Sequence, residues 1–247
     1  MNRQQVLTAI GFMLLLSGWQ ILAMNMHQIL LASPIQAITS LWEMLHTPYF
    51  YDNFLISIKR ISLGIIFGGF SGFVFGTIAG INQNIKYLLD PLRWLIMSMP
   101  SVIIVVLAML WFGMGSTMAV FMIAVITAPV VYVNTVKGIE AVDKELIEVA
   151  KIYKFPFFTR IKNLYTPAIA GPLSAAIVMI TCQGARIAVM AELLGANEGI
   201  GYAVGITRSN LEIPQLFAWI LTTLFIVAIF EFVLFRPIQN YFMRWQR

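Results

Sequence analysis

KGIEAVDKELIEVAKIYKFPFFTRIKNLYTPAIAGP, residues Lys137 to Pro172, is the only long polar segment in a chain otherwise built from apolar runs. Six of the sixteen lysines and arginines fall in it: Lys137, Lys144, Lys151, Lys154, Arg160 and Lys162. Its first part has helical spacing, with Ile139, Val142, Leu146, Val149, Ala150 and Tyr153 on one face. Asp143, Lys144, Glu145, Glu148 and Lys151 lie opposite. Lys154-Phe155-Pro156 ends that helix, because proline disfavours a helical residue before it and has no N–H to donate. A second amphipathic piece, Phe157 to Tyr165, runs into Pro167. These residues read as two short helices joined by a turn and held between membrane spans, a platform for a cytoplasmic partner. On composition alone a plain solvated loop fits them too.

The flanking sequence decides the class. The chain has 247 residues, 60% hydrophobic and 11% charged, with mean hydropathy +0.84. A soluble domain carries about a quarter charged residues, and these apolar runs are too long and too many for a water-soluble core. The expected class is an all-α polytopic membrane protein. No small-residue cleavage pattern follows the first apolar run, which reads as a retained span. The single cysteine, Cys182, lies inside an apolar run and excludes an intrachain disulfide. With His27 and His46 it makes no metal-ligand cluster, and no metal or cofactor is expected. The net charge of +5 does not point to nucleic acid, because its meaning depends on which loops hold the cations.

Val6 to Met24 is free of charge, and about nineteen residues at ~1.5 Å each nearly cross a hydrocarbon layer of ~30 Å. Ser33-Pro34 resembles a helix start, with serine as the cap. Ile35, Ile38, Leu41, Trp42 and Leu45 share one side of the segment that follows, an expected interfacial helix. The second span is expected over Ile61 to Ile81. In it Gly64, Gly68, Gly72, Gly76 and Gly80 recur every four residues and draw a smooth ridge for close helix packing. Further spans are expected over Trp94 to Phe112 with Pro100 inside it, Thr117 to Val136 with Pro129, Ala168 to about Ala191, and Ile213 to Phe235. Prolines within spans bend them and free a carbonyl. A glycine-rich loop, Glu192 to Glu212, precedes the sixth. Residues 1–60 form an N-terminal span with the interfacial helix, and 61–247 a core of five spans.

Counting lysine and arginine by side orients the bundle. The six platform cations, Arg3, Lys86, Arg93, Arg236, Arg244 and Arg247 share one side, against Lys59, Arg60 and Arg208 on the other. That places the platform and both termini in the cytoplasm, with Arg186 inside the membrane.

Glu148-Val149-Ala150, followed at the expected spacing by Leu164 and Thr166-Pro167, resembles the EAA loop of binding-protein-dependent ABC transporter permeases. That loop spans residues 138–167 here, and Lys154 and Thr166 stand where the family has Gly and Leu. Phe112-Gly-Met-Gly-Ser116, Asn134-Thr-Val-Lys-Gly138, Ala191-Glu192-Leu-Leu-Gly195 and Glu198-Gly-Ile-Gly-Tyr202 are similar to permeases of the nitrate, sulfonate and taurine type. The resemblance implies a type I importer permease (MetI-like) fold of six transmembrane helices with cytoplasmic coupling helices. It implies a bacterial inner-membrane protein that pairs with a second permease, usually as a homodimer. Two ATPase subunits and an extracytoplasmic substrate-binding protein complete the assembly. It also implies that Glu148, Val149, Ala150, Lys154, Phe155, Pro156, Leu164 and Pro167 dock on the ATPase, and that Glu192 and Gly195 shape the outer gate.

No catalytic set is legible. There is no G-x-x-x-x-G-K-[ST] phosphate loop, so ATP hydrolysis is expected on a separate subunit and the chain is not read as an enzyme. Glu192 and Glu231, the carboxylates nearest the membrane, are far apart in sequence and suggest no acid/base pair. Arg186 lies about eighteen residues, roughly 27 Å, into the fifth span. With Gln183 one turn earlier it either holds an anionic solute by forked hydrogen bonds or snorkels to the outer headgroups, the plainer alternative; Gln183, Arg186 and Glu192 are the candidate residues of the substrate path. Pairing with Glu192 is disfavoured, since six residues at ~100° each put the two about 120° apart. Met97, Met99, Met109, Met114 and Met118 read as packing rather than a channel.

The expected function is a permease subunit forming the path for a small anion or zwitterion such as nitrate, a sulfonate, taurine or bicarbonate. Thiamine-precursor pyrimidines, riboflavin and aromatic carboxylates are the alternative cargoes that the resemblance allows. A stand-alone secondary transporter would show intramembrane carboxylate or histidine relays and an internal repeat, and neither is found.

Overall fold

The computed structural model describes residues 3–27 and 29–230, and among these the regular structure is entirely helical. Helix α1 (Arg3–Asn25) stands at the edge, held by Trp19, whose Nε1 donates to the Ala32 carbonyl at 2.9 Å. Helix α2 (Pro34–Met44) begins with the expected cap. Ser33 Oγ accepts from the Gln36 N–H, and the Gln36 side chain accepts from the Ser33 N–H. Of the apolar residues expected to share one side of α2, Leu41 packs inward on the cluster around Phe50 and Trp219, while Ile35, Ile38 and Trp42 stay exposed.

Helix α3 (Pro48–Ile81) is far longer than its expected start at Ile61. The expected division between residues 60 and 61 therefore falls inside a continuous helix. Lys59 and Arg60, taken as loop cations, lie about 18 Å along it by helical rise. The two prolines expected to bend spans behave differently. Pro129 is accommodated inside α6 (Ser116–Glu140). At Pro100 the expected single span from Trp94 to Phe112 breaks into α4 (Gln83–Ser98) and α5 (Ser101–Phe112), which meet at 103°. Met99 turns extended there, ψ 132°, as the pyrrolidine ring of Pro100 requires of the residue before it.

The platform follows as α7 (Lys144–Ile152) and α8 (Phe157–Arg160). Pro167 does not separate the platform from the next span. A π-turn over Ile161–Tyr165 joins α8 to α9 (Thr166–Gly195), giving an apolar stretch from Phe158 to Gly195 of 38 residues. The wider turn gives the Pro167 ring the room that an α-helical turn denies it. A short α10 (Ile200–Ser209) and α11 (Ile213–Ile229) complete the described chain. Among the described residues four helices are long and apolar enough to cross a bilayer, five if α4 and α5 make one bent span, and α11 is a shorter apolar helix. Glu231, Arg236, Arg244, Arg247 and the expected end of the sixth span at Phe235 lie outside the described residues.

The bundle's frame is the pairing of α3 with α6, with α9 against both. The glycine ridge of α3 faces the α6 backbone. A Cβ on Gly68 would stand 2.7 Å from the Ala124 carbonyl oxygen, and one on Gly76 2.9 Å from that of Tyr132. A Cβ on Gly72 would overlap the Ala128 carbonyl oxygen. Lipid tails offer no hydrophobic drive, so this backbone proximity supplies the dispersion contact that holds the pair. Met118, fully buried, and Met109 fill the space beside Gly195.

Gly72→Ala is expected to lower the stability of the detergent-solubilised protein by about 1–3 kcal/mol, the range for overpacking. Gly69→Ala, whose Cβ would meet only Ile180 Cδ1 at 3.7 Å, is expected not to lower the melting temperature. Equal melting of the two variants would contradict this account of the ridge.

Candidate functional site

At the end of the bundle where α9 meets α10 lies a charge that apolar surroundings would not tolerate alone. Glu192, in the last turn of α9, is completely buried. Its carboxylate accepts from Arg60 Nη1 at 3.0 Å, from Ser57 Oγ at 2.7 Å and from the Gly201 N–H at 2.9 Å. Ser57 Oγ in turn accepts the Ile200 N–H at 2.8 Å, and Asn53 Oδ1 the Gly199 N–H at 2.7 Å. The N–H groups at the start of α10, orphaned in any helix, are thus caught by side chains of α3 and α9. The positive end of the α10 dipole adds to the attraction for Glu192. Arg60 also donates to the Glu198 carbonyl at 2.7 Å and through Nε to Ser116 Oγ at 2.9 Å, which ties in the start of α6. Asn53, Ser57 and Arg60 sit four and three residues apart, hence on one face of α3.

The motif Glu198-Gly-Ile-Gly-Tyr202 acquires a physical reason here. Gly199 has φ +106°, and any Cβ on it would strike the Glu192 carboxylate. A Cβ on Gly201 would overlap the Val189 carbonyl oxygen. Glycine at both is what lets the α10 start reach its acceptors.

Arg60 is not a loop cation but a buried ion-pair member, because α3 began three turns earlier than its apolar run suggested. Glu192, a candidate for the substrate path, is buried with its carboxylate bound by Arg60, Ser57 and the Gly201 N–H. The structure therefore separates Glu192 from Gln183 and Arg186. Gln183 Oε1 is buried and without a partner, while Arg186 is exposed, with Nε donating to the Cys182 carbonyl at 3.2 Å.

At the other end of α9 the platform residues come together. Asp143 Oδ1 accepts the Glu145 N–H at 3.0 Å and starts α7. Ala150 is buried, whereas Leu146, Val149, Ile152 and Tyr153 are exposed beside Glu148. The turn between the two platform helices is made at Lys154, which has φ +49°. This left-handed conformation costs a side-chain-bearing residue about 1–2 kcal/mol relative to glycine, and Lys154 is where the resembled loop has Gly. The Phe155 N–H closes the turn on the Ala150 carbonyl at 2.9 Å, and the Pro156 carbonyl accepts from Thr159 and Arg160 to start α8. Phe158 is exposed, Leu164 half-buried, and Pro167 exposed just past the π-turn. Where the platform leaves α6, Gly138 lies against Ile169 of α9 so closely that a Cβ would stand 2.9 Å from the Ile169 Cα.

A family profile described as "Binding-protein-dependent transport system inner membrane component" matches residues 72–245. A putative aliphatic sulfonates transport permease protein of Bacillus subtilis is 28% identical over 191 residues, 77% of this chain and 69% of that protein. A nitrate import permease protein of Synechococcus elongatus is 24% identical over 199 residues, 76% of this chain and 71% of the other. Among solved structures, the MetNI methionine ABC transporter in inward-facing conformations superposes with TM-score 0.60 at 16% identity, covering 74% of this chain and 93% of that one. At that identity the likeness is one of fold.

Glu192→Ala leaves Arg60 charged and buried without its partner and is expected to destabilise the protein by about 3–5 kcal/mol. Replacing the pair together, Arg60→Met with Glu192→Leu, is expected to restore part of that loss. Chemical denaturation of the three proteins in mixed micelles checks both statements.

Proposed function

We infer how this chain works from one premise: it belongs to the family of binding-protein-dependent transport system inner membrane components, whose profile covers most of its length. It is the membrane-spanning permease of an ABC importer, a transport protein that acts with an ATPase and a solute-binding protein. The rest is proposal. The platform, residues 138–167 with Glu148, Val149, Ala150, Lys154, Phe155, Pro156, Leu164 and Pro167, docks on the ATPase. A second copy of the chain completes the path, and both termini and the platform are cytoplasmic. Taking the buried Arg60 out of the cation count only widens the imbalance on which that orientation rests.

The observation that carries this reading is the set of exposed apolar side chains on α7 (Leu146, Val149, Ile152 and Tyr153). A solvated loop has no use for them, and a groove on a partner does. They stand on a base that is continuous with α9 and clasped to α6 at Gly138, so a push on α7 reaches the spans.

The solute is proposed to be a small anion of the sulfonate or nitrate class, as the names of the two relatives suggest. Gln183 and Arg186 are proposed to face it: the exposed guanidinium donates to an anion, and the Gln183 side-chain NH2, one turn earlier, adds a second donor.

Leu146→Asp combined with Ile152→Asp is expected to lower ATP-driven uptake about tenfold or more, the loss of two interface side chains at about 1 kcal/mol each or above. The ATPase should co-purify less with this variant while the binding protein still docks. Uptake at the unmodified rate would sink the docking assignment. In proteoliposomes with binding protein and ATPase, an alkanesulfonate or nitrate is expected to stimulate ATP hydrolysis and riboflavin not. Unaltered uptake and solute preference in both Arg186→Gln and Arg186→Leu would remove Arg186 from the path.

A further inference from the structure

Near the platform end of the bundle, α3, α4 and α6 enclose an apolar groove of about 460 Å³, within the ~300–1,000 Å³ typical of ligand sites. Phe67, Phe70 and Phe75 of α3 and Leu92 of α4 line it. Two of its residues, Arg93 and Tyr132, also line a smaller polar recess of about 260 Å³, which adds Lys86, Asp90, Lys137 and Glu140. The two spaces are therefore neighbours that share a wall, apolar toward the middle of the bundle and charged toward its end. Tyr132 is 6% exposed, and its hydroxyl has no hydrogen-bond partner among the described residues.

The charges in the recess define what fits. Lys86 pairs with Glu140, and Arg93 with Asp90 at 3.1 Å. Each carboxylate is taken, and Lys137 remains as a positive charge with no ion pair among the described residues. One uncompensated cation matches one singly charged phosphate. An ammonium headgroup would find no free carboxylate beside it. Basic pockets between membrane helices are suited to phospholipid heads, with about 1 kcal/mol gained per cation near the phosphate. We propose that this groove and recess bind one anionic glycerophospholipid, its acyl chain along Phe67, Phe70 and Leu92 and its phosphate at Lys137, Arg93 and the Tyr132 hydroxyl.

The permease–ATPase complex, purified in detergent and stripped of lipid, tests this by native mass spectrometry with phosphatidylglycerol as the probe. Phosphatidylethanolamine and inorganic phosphate serve as parallel probes. The expected result is one phosphatidylglycerol retained per permease copy, with phosphatidylethanolamine retained less and inorganic phosphate unable to displace the lipid. Lys137→Gln is expected to weaken retention about fivefold, one cation's worth. Leu92→Trp, placed at an exposed position where the indole fills the groove, is expected to weaken it at least as much. Equal retention by the wild type and both variants would overturn the proposal, as would displacement by phosphate alone. Cross-linking of Leu92→Cys to a second permease copy would assign the groove to protein instead and overturn it equally.

Discussion

Arg60 and Glu192 meet where almost no surface is exposed, and the architecture at this end of the bundle follows from how their charges are satisfied. Moving a carboxylate or a guanidinium into such a place costs several kcal/mol per ion, and mutual attraction alone rarely offsets it. Here the carboxylate and two of the three guanidinium nitrogens, Nε and Nη1, are hydrogen-bonded. The carboxylate takes Arg60, Ser57 and the Gly201 N–H, and the guanidinium takes Glu192, Ser116 and the Glu198 carbonyl. The pair is therefore a device of placement more than of stability. Four elements (α3, the start of α6, α9 and α10) have to converge in one register for it to be satisfied. A chain with any of them displaced by a turn would bury an unpaired charge.

The remaining contacts have a different origin. Along α3 the register with α6 is set by absence: glycines at every fourth position bring two backbones close enough for carbonyl oxygens to stand where side chains would be. Ridge and ion pair occupy the same helix at different depths. The ridge runs from Gly64 to Gly80, and the polar face, Asn53, Ser57 and Arg60, lies one to three turns before it. One helix thus carries both the close-packed frame and the anchor for α10, which explains why it is longer than a membrane crossing needs.

What was legible in the sequence follows the reach of its periodicities. The glycine spacing shows in any helical projection, and so does the amphipathic α7, because both patterns repeat within a few turns. The left-handed residue at Lys154 was marked by its position in the loop motif, though lysine itself gives no hint of positive φ. Arg60 and Glu192 are 132 positions apart, and no local pattern joins them. Beside Lys59, Arg60 reads as a loop charge until α3 is extended back to Pro48, where the spacing Asn53, Ser57, Arg60 becomes a polar face. Proline signals were read in kind but not in size. Pro100 ends a helix, Pro129 is absorbed, and Pro167 is carried through by a π-turn that no residue pattern announces.

The placement of rigid and yielding contacts decides which motion α9 is able to make. Its Glu192 end shares the buried network with α3, so sliding there would strand Glu192. Its middle crosses α3 where Gly184 lies against Ile65, with no room for a side chain to intervene. Toward the platform the two helices part around an apolar cavity of about 460 Å³ lined by Phe73 and Ile81 on one side and Ile161, Tyr165 and Ile169 on the other. At Gly138 α6 closes on Ile169, so the platform end of α9 stays clasped to α6 while it parts from α3. The stretch from Phe158 to Gly195 has 38 residues, about 57 Å by helical rise. One continuous element thus joins the platform to the Glu192 network that anchors α10.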